Sequence, residues 1–174
     1  CYNAIFAAEF PETKFVSGGN SHDVAADRLR FASVFANLVS GISVQRLIDG
    51  DDHSPQDKVD LRLEGIRAST RRHLESYLFD DDTLDALCNS LGKSAAIPDV
   101  RVAKGQAMAA LGPRGKPPDD LKSAAPQIYV SLKTILGLSG TGNDYRAFSR
   151  QVLVPLVKPG TSTYDELKKD IFGP

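Results

Sequence analysis

The residues best suited to chemistry are three carboxylates within four positions. Asp49, Asp51 and Asp52 follow the apolar pair Leu47-Ile48. Clustered carboxylates repel one another unless a cation lies between them, and Mg²⁺ prefers such hard oxygen ligands. Asp49 and Asp51 alternate along an extended chain, so their side chains can face the same way. The pattern predicts a divalent-cation site, and the alternative is an acidic turn in which aspartate forms the turn and caps a helix.

A second polar group follows the next predicted strand and includes Arg71, Arg72, His73 and Glu75. Glu75 would add a third carboxylate ligand or position a water, and either arginine would hold a phosphate through two parallel hydrogen bonds. The alternative is a salt-bridged helix start. His73 is more typical of a surface or satisfied histidine than of a ligand.

Lys104, which stands before a glycine, is the last chemical candidate. Such a lysine can reach a phosphate or a developing negative charge, and the alternative is a solvated surface lysine. The sequence contains no P-loop, GxGxxG, HExxH, CxxC or GxSxG motif, which argues against the enzyme classes they mark. Two cysteines cannot build a disulfide framework or a zinc site, so we expect a reducing, cytoplasmic setting.

The elements that must position these residues alternate between helix and strand. Predicted strands cover residues 14–17, 42–49 and 66–69, and predicted helices cover 1–10, 21–39, 55–64 and 80–91, with a turn or helix at 72–78. This order predicts an α/β fold with a small, mainly parallel sheet flanked by helices. Because ligands bind beyond the carboxyl ends of such strands, we expect both polar groups at one sheet edge.

The last part of the chain has a different character. Proline and glycine are frequent over residues 98–118, and helices are predicted at 104–111, 125–136, 144–157 and 164–172. We therefore expect two domains, an α/β domain at 1–97 and a mainly helical extension at 98–174. No apolar run approaches the roughly 20 residues that a membrane span needs, so no membrane partner is predicted.

The charges are unevenly distributed along the chain. Residues 1–92 carry 9 basic and 15 acidic side chains, whereas residues 93–174 carry 12 basic and 7 acidic ones. An acidic half can gather a divalent cation and a basic half can meet a polyanion. The alternative is two ordinary solvated surfaces.

Several segments together resemble a Toprim domain, and most closely the one at the C-terminus of ATP-dependent endonucleases of the overcoming-lysogenization-defect (OLD) family and related AAA-type ATPases. The resemblance covers about residues 1–110. The residues that carry it are Tyr2-Asn-Ala-Ile-Phe6, Gly18-Gly19, Ile48-Asp49-Gly-Asp51-Asp52, Gly65-Ile66 and Arg71-Arg72-His-Leu-Glu75-Ser-Tyr77-Leu78.

The resemblance implies Mg²⁺- or Mn²⁺-dependent cleavage of DNA. Asp49 and Asp51 match the family's DxD motif, Asp52 adjoins it, and Glu75 matches the acidic residue after the next strand. These four would be metal ligands, and Lys104 would match a later catalytic lysine. Arg71 and Arg72 would contact the nucleic acid. The implied partners are DNA, an ATPase domain of the same or another chain, and a second copy in a homodimer.

One departure from the family pattern leaves a second function open. The first strand of the family's sheet, which ends in a metal-binding glutamate, would precede Cys1, so the sequence is expected to be a fragment. If that ligand is missing, the chain is a non-catalytic nucleic-acid-binding or interaction module of an AAA-type ATPase. A third reading, a receiver-like phosphotransfer pocket, fits the order of the motifs poorly.

Overall fold

The computed structural model describes residues 1–28, 30–38 and 40–173, and its contacts divide the chain into two compact units. The first unit contains Cys1–Lys14 and His73–Glu166, and the second contains Phe15–Arg72 and Leu167–Pro174. This division follows spatial packing within each unit. The boundary between the expected domains 1–97 and 98–174 stays a prediction.

The second unit contains the sheet, which among the described residues has two strands. Strand β1 (Arg46–Ile48) pairs in parallel with β2 (Ile66–Ala68). Leu47 lies opposite Arg67, and the amide of Ser69 extends the ladder by donating to the carbonyl of Ile48 at 3.1 Å. The mixed α/β character and the parallel pairing are therefore confirmed, in a smaller sheet than the alternation predicted.

Helix α4 (Pro55–Leu63) connects the two strands, as expected from the sequence. Ser54 caps its first turn by accepting from the amide of Asp57, whose carboxylate accepts in return from the amide of Ser54. This reciprocal capping satisfies two amides that would otherwise lack partners. Gly65 ends the connection with a φ of +71°, a left-handed conformation that glycine adopts without strain.

Of the strands predicted before β2, one is shorter than expected and one does not form. The strand predicted at 42–49 forms only at β1, and residues 14–17 have no regular structure. Val16 and Ile42 are 73% and 45% exposed, so neither run buries the apolar face that stabilises a strand.

The helix predicted at 21–39 is divided into α2 (Ser21–Ala25) and α3 (Phe31–Leu38). Asp27 and Arg30 lie between these two helices and have φ values of +46° and +50°. A continuous right-handed helix cannot contain residues with such values. Leu29 and Val39, two positions of the predicted apolar face, lie outside the described residues.

The first unit is built from helices. They are α1 (Tyr2–Phe6), α5 (Leu74–Leu78), α6 (Asp81–Ser90), α7 (Ile97–Ala109), α8 (Leu121–Ile135) and α9 (Tyr145–Phe148), with the first residues of α10 (Ser162–Phe172). Short 3₁₀ turns lie at Ser94–Ala96, Gly112–Arg114 and Val154–Leu156. Fully buried aromatic side chains, among them Tyr77, Phe79 and Phe148, lie in its core.

Helix α7 is longer than the helix predicted at 104–111. Pro98, which lies before the predicted helix, occupies the first turn of α7. Proline is well tolerated there because the first amides of a helix have no partner within it. Val100 and Ala107 of α7 are buried.

The helix predicted at 144–157 forms three successive types of turn. Helix α9 leads into a π-helical segment, Ser149–Leu153, and then into the 3₁₀ turn Val154–Leu156. Pro155 has no N–H to donate to the carbonyl four residues earlier, and it lies in the 3₁₀ turn at the end of the segment.

Within the part of the chain that the structure describes, no helix combines the length and apolar character that crossing a membrane requires.

Candidate functional site

The acidic loop, Asp49–Gly50–Asp51–Asp52, leaves the carboxyl end of β1 in the second unit. Carboxylate oxygens of Asp49 and Asp51 lie within 4.8 Å of each other, close enough for the two side chains to be candidate ligands of one cation. Both residues are half-buried. The predicted convergence of these two side chains at the strand end is therefore present.

The backbone of the acidic loop is fastened to the segment that follows β2. Ser69, which is 1% exposed, accepts a hydrogen bond from the amide of Gly50 at 2.9 Å and donates to the carbonyl of Arg71 at 2.8 Å. A Cβ added at Gly50 would lie 2.3 Å from the Ser69 carbonyl oxygen and 2.5 Å from that of Arg71. Only glycine permits this close approach.

Two charged side chains hold the segment after β2 from its other sides. Lys58 of α4 donates to the carbonyls of Ser69 and Thr70, both at 2.8 Å. Asp170 of α10 accepts from the Thr70 amide at 2.8 Å and from the Thr70 hydroxyl at 2.6 Å. The segment is thus bonded to the acidic loop, α4 and α10, all within the second unit.

Arg72, predicted as a phosphate contact, binds the acidic loop. Its Nη1 lies 2.8 Å from Asp52 Oδ1 and 3.5 Å from Asp51 Oδ1. The Arg72 side chain is only 15% exposed, against 40% for Asp51 and 79% for Asp52. A partly buried guanidinium therefore offsets the negative charge of the loop.

Asp52 has the backbone conformation of a tight turn. Its φ is +53°, in the left-handed region that aspartate and asparagine tolerate better than most residues. Its hydrogen bond from Arg72 helps to hold it there. Asp52 thus combines the turn role that was the alternative interpretation of the acidic triplet with an ion pair.

Glu75 and Lys104 both lie in the first unit. Glu75 is half-buried in the first turn of α5. Lys104 of α7 donates to Asp81 of α6 at 2.7 Å, and its side chain is 17% exposed. Their proposed metal-binding and catalytic roles stay predictions, as does the role of Arg71 as a nucleic-acid contact.

A buried polar pair that the sequence did not indicate joins His73 to Asp120. His73 Nε2 lies 3.1 Å from Asp120 Oδ1, and the two residues are 5% and 9% exposed. Burial favours a higher pKa for Asp120, but hydrogen bonds from the hydroxyl and amide of Ser123 and from His73 outweigh it and lower the pKa. This contact gives the Nε2 atom of His73 a carboxylate partner within the first unit.

Comparison of the chain with protein-family models, with curated proteins and with solved structures found no match.

Proposed function

We propose that the chain is the Toprim-like portion of a divalent-metal-dependent DNA endonuclease. The observation that carries the proposal is the approach of the Asp49 and Asp51 carboxylates at the carboxyl end of β1. In sheets with parallel strands, ligands bind at this edge. The family resemblance of the sequence supports the same assignment.

The donor set fits Mg²⁺ or Mn²⁺. Both cations take oxygen ligands, and Mg²⁺ is typically held by one or two carboxylates together with water and substrate phosphate. Such a cation, when bound, activates water and offsets the charge on a phosphodiester. Asp49 and Asp51 would hold it, while Ser69 and Gly50 keep the loop that carries them in place.

The other predicted residues complete the proposal. Glu75 would supply a third carboxylate, Lys104 a positive charge for the leaving group, and Arg71 a contact to the DNA backbone. The basic excess of residues 93–174 would make DNA binding weaken as salt increases. An ATPase domain in the same or another chain would make cleavage ATP-dependent.

Plasmid nicking with Mn²⁺ or Mg²⁺ tests this function. The chain should be compared with a form extended upstream of Cys1, each as wild type and as Asp49→Asn. Asp60→Asn is the matched control, because Asp60 lies on α4 of the same unit and its carboxylate accepts from Gln56, one turn earlier in that helix, at 2.9 Å. We expect metal-dependent nicking that Asp49→Asn abolishes and Asp60→Asn retains. Nicking that survives Asp49→Asn, or its absence from both forms, would contradict the proposal.

A second candidate is a non-catalytic nucleic-acid-binding or interaction module. The ion pair between Arg72 and Asp52 favours this non-catalytic candidate, because the pair gives the acidic loop a structural role that needs no cation. Under this alternative, DNA binding would survive Asp49→Asn unchanged and would not depend on the divalent cation.

A further inference from the structure

The positively charged side chain of Arg72 lies against the acidic loop. A single atom, Arg72 Nη1, contacts a carboxylate oxygen of Asp52 at 2.8 Å and one of Asp51 at 3.5 Å. The Asp51 oxygen, Oδ1, is shut off from solvent. Arg72 therefore sits beside one of the two carboxylates that would hold a cation.

Arg72 is the more buried partner in both of these contacts. Exposed pairs contribute little because water screens them, whereas the Arg72 side chain is only 15% exposed. Its neighbours on the chain are also fixed, since Ser69 bonds to the Arg71 carbonyl and Asp170 bonds to Thr70. These bonds hold the backbone next to Arg72 in place and so keep the guanidinium close to the acidic loop.

Lys58 is a second cationic side chain near the loop, and its contacts differ from those of Arg72. Its Nζ lies 3.0 Å from the position of a Cβ at Gly50, but it donates to the carbonyls of Ser69 and Thr70. Lys58 therefore holds the backbone, while Arg72 is bonded to the carboxylates themselves.

We propose that Arg72 is an internal competitor that lowers the affinity of the acidic loop for a divalent cation. This inference rests on the proposed function, because it takes Asp49 and Asp51 as the ligands. A cation that binds Asp51 meets repulsion from the guanidinium or must displace it toward Asp52. Arg72 thereby raises the cation concentration at which the site fills. When no cation is bound, its positive charge offsets the negative charge of the acidic loop.

Mn²⁺ binding to the whole chain tests this proposal, with the electron paramagnetic resonance signal of free Mn²⁺ as the readout. Wild type should be compared with Arg72→Gln, with Asp49→Asn, and with Arg28→Gln as the matched control. Arg28 pairs with Asp23 at 3.0 Å in the same unit. The Arg28→Gln variant therefore loses the same charge as Arg72→Gln, and an ion pair, but away from the acidic loop. We expect Arg72→Gln to bind Mn²⁺ about five-fold more tightly and Arg28→Gln to bind as wild type does.

The outcomes separate this inference from the proposed function. Binding that Asp49→Asn removes but Arg72→Gln leaves unchanged or weakens would overturn the competition and leave the metal site standing. Absence of binding from both wild type and Arg72→Gln would overturn both. An equal gain in Arg28→Gln would reduce the effect to net charge and overturn the competition.

A double variant covers the case in which Arg72→Gln alone does not fold. Arg72→Gln with Asp52→Asn removes both partners of the 2.8 Å bond and leaves the net charge as in wild type. Compared with Asp52→Asn alone, it isolates the effect of Arg72 on the Asp49–Asp51 pair. We expect the double variant to bind Mn²⁺ about five-fold more tightly than Asp52→Asn, and equal affinities would overturn the proposal.

Discussion

The amide of Gly50 donates a 2.9 Å hydrogen bond to the hydroxyl of Ser69. This contact joins the middle of the acidic loop to the first residue after β2. Because the two strands are parallel, their carboxyl ends lie side by side, and the bond ties the two connections together at that edge. The positions of Asp49 and Asp51 depend on it, since they flank Gly50.

Replacing Gly50 with alanine should disrupt this arrangement. The added Cβ would lie 2.3 Å from the Ser69 carbonyl oxygen, so the loop must move. We expect a loss of about 1–3 kcal/mol in the free energy of unfolding, the usual cost of forcing extra atoms into packed structure. Urea unfolding followed by circular dichroism measures it.

Gly105→Ala is the control for that experiment. Gly105 lies within α7, and an added Cβ would meet no atom within 4 Å. Alanine is more favourable than glycine within a helix, so the free energy of unfolding of this variant should rise by up to about 1 kcal/mol. Equal free energies of unfolding for the Gly50→Ala and Gly105→Ala variants would contradict the close approach of the Ser69 and Arg71 carbonyls to Gly50.

Removing the hydroxyl of Ser69 should weaken both stability and cation binding. Ser69→Ala leaves the Gly50 amide without this acceptor in a buried position, which costs about 1–3 kcal/mol. The loop that carries Asp49 and Asp51 would also be held less firmly, so Mn²⁺ affinity should fall. Both changes can be read from urea melts recorded with and without Mn²⁺.

Ser90→Ala provides a matched serine for comparison. Its hydroxyl donates to the Leu87 carbonyl within the same helix. Stability should stay within about 0.5 kcal/mol of wild type, with unchanged Mn²⁺ affinity. If Ser69→Ala behaved like Ser90→Ala in both respects, Ser69 would have no positioning role.

Tyr164 should make the protein lose stability in alkali. The phenol is 1% exposed and donates to Glu9 at 2.5 Å. Burial, and then the carboxylate of Glu9, raise the pKa of Tyr164 from 10.0 to about 12. The folded protein therefore keeps this proton where the unfolded chain loses it, so the contribution is complete below about pH 10 and declines as the pH rises toward about 12.

Tyr164→Phe should remove this part of the alkaline loss. Urea midpoints measured from about pH 9 to about pH 12 would fall less steeply for the variant than for wild type. The control Tyr145→Phe removes one hydroxyl and keeps the ring over which the Arg146 guanidinium lies, and it should keep the wild-type slope. Identical slopes for all three proteins would contradict the raised pKa of Tyr164 in the folded protein.

Local signals in the sequence predicted a large part of the fold around the acidic loop. Pro55 and Gly65 bounded the helix predicted at 55–64, which α4 confirms, because a helix start at proline and a left-handed turn at glycine depend on a few adjacent residues. The position of Asp49 and Asp51 after β1 followed from the apolar run before them. The long helix predicted at 21–39 was wrong because the apolar spacing does not record the left-handed turns at Asp27 and Arg30.

The contacts that hold the acidic loop could not be predicted in the same way. Asp170 and Thr70 are 100 residues apart in the chain, and no local pattern links them. The pairing of Arg72 with Asp52 depends on how two connections meet at the sheet edge. In the sequence alone, Arg72 could equally be a phosphate contact, as the family resemblance implied.

The most direct test of the central claim is Mn²⁺ binding to the whole chain as wild type, Asp49→Asn, Asp51→Asn and the control Asp60→Asn. If Asp49 and Asp51 share one cation, each of their variants should lose at least about ten-fold in affinity, about 1.4 kcal/mol. Asp60→Asn should bind as wild type does. Equal affinities for all four proteins would contradict the account, because the acidic loop would then bind Mn²⁺ no better than any exposed carboxylate.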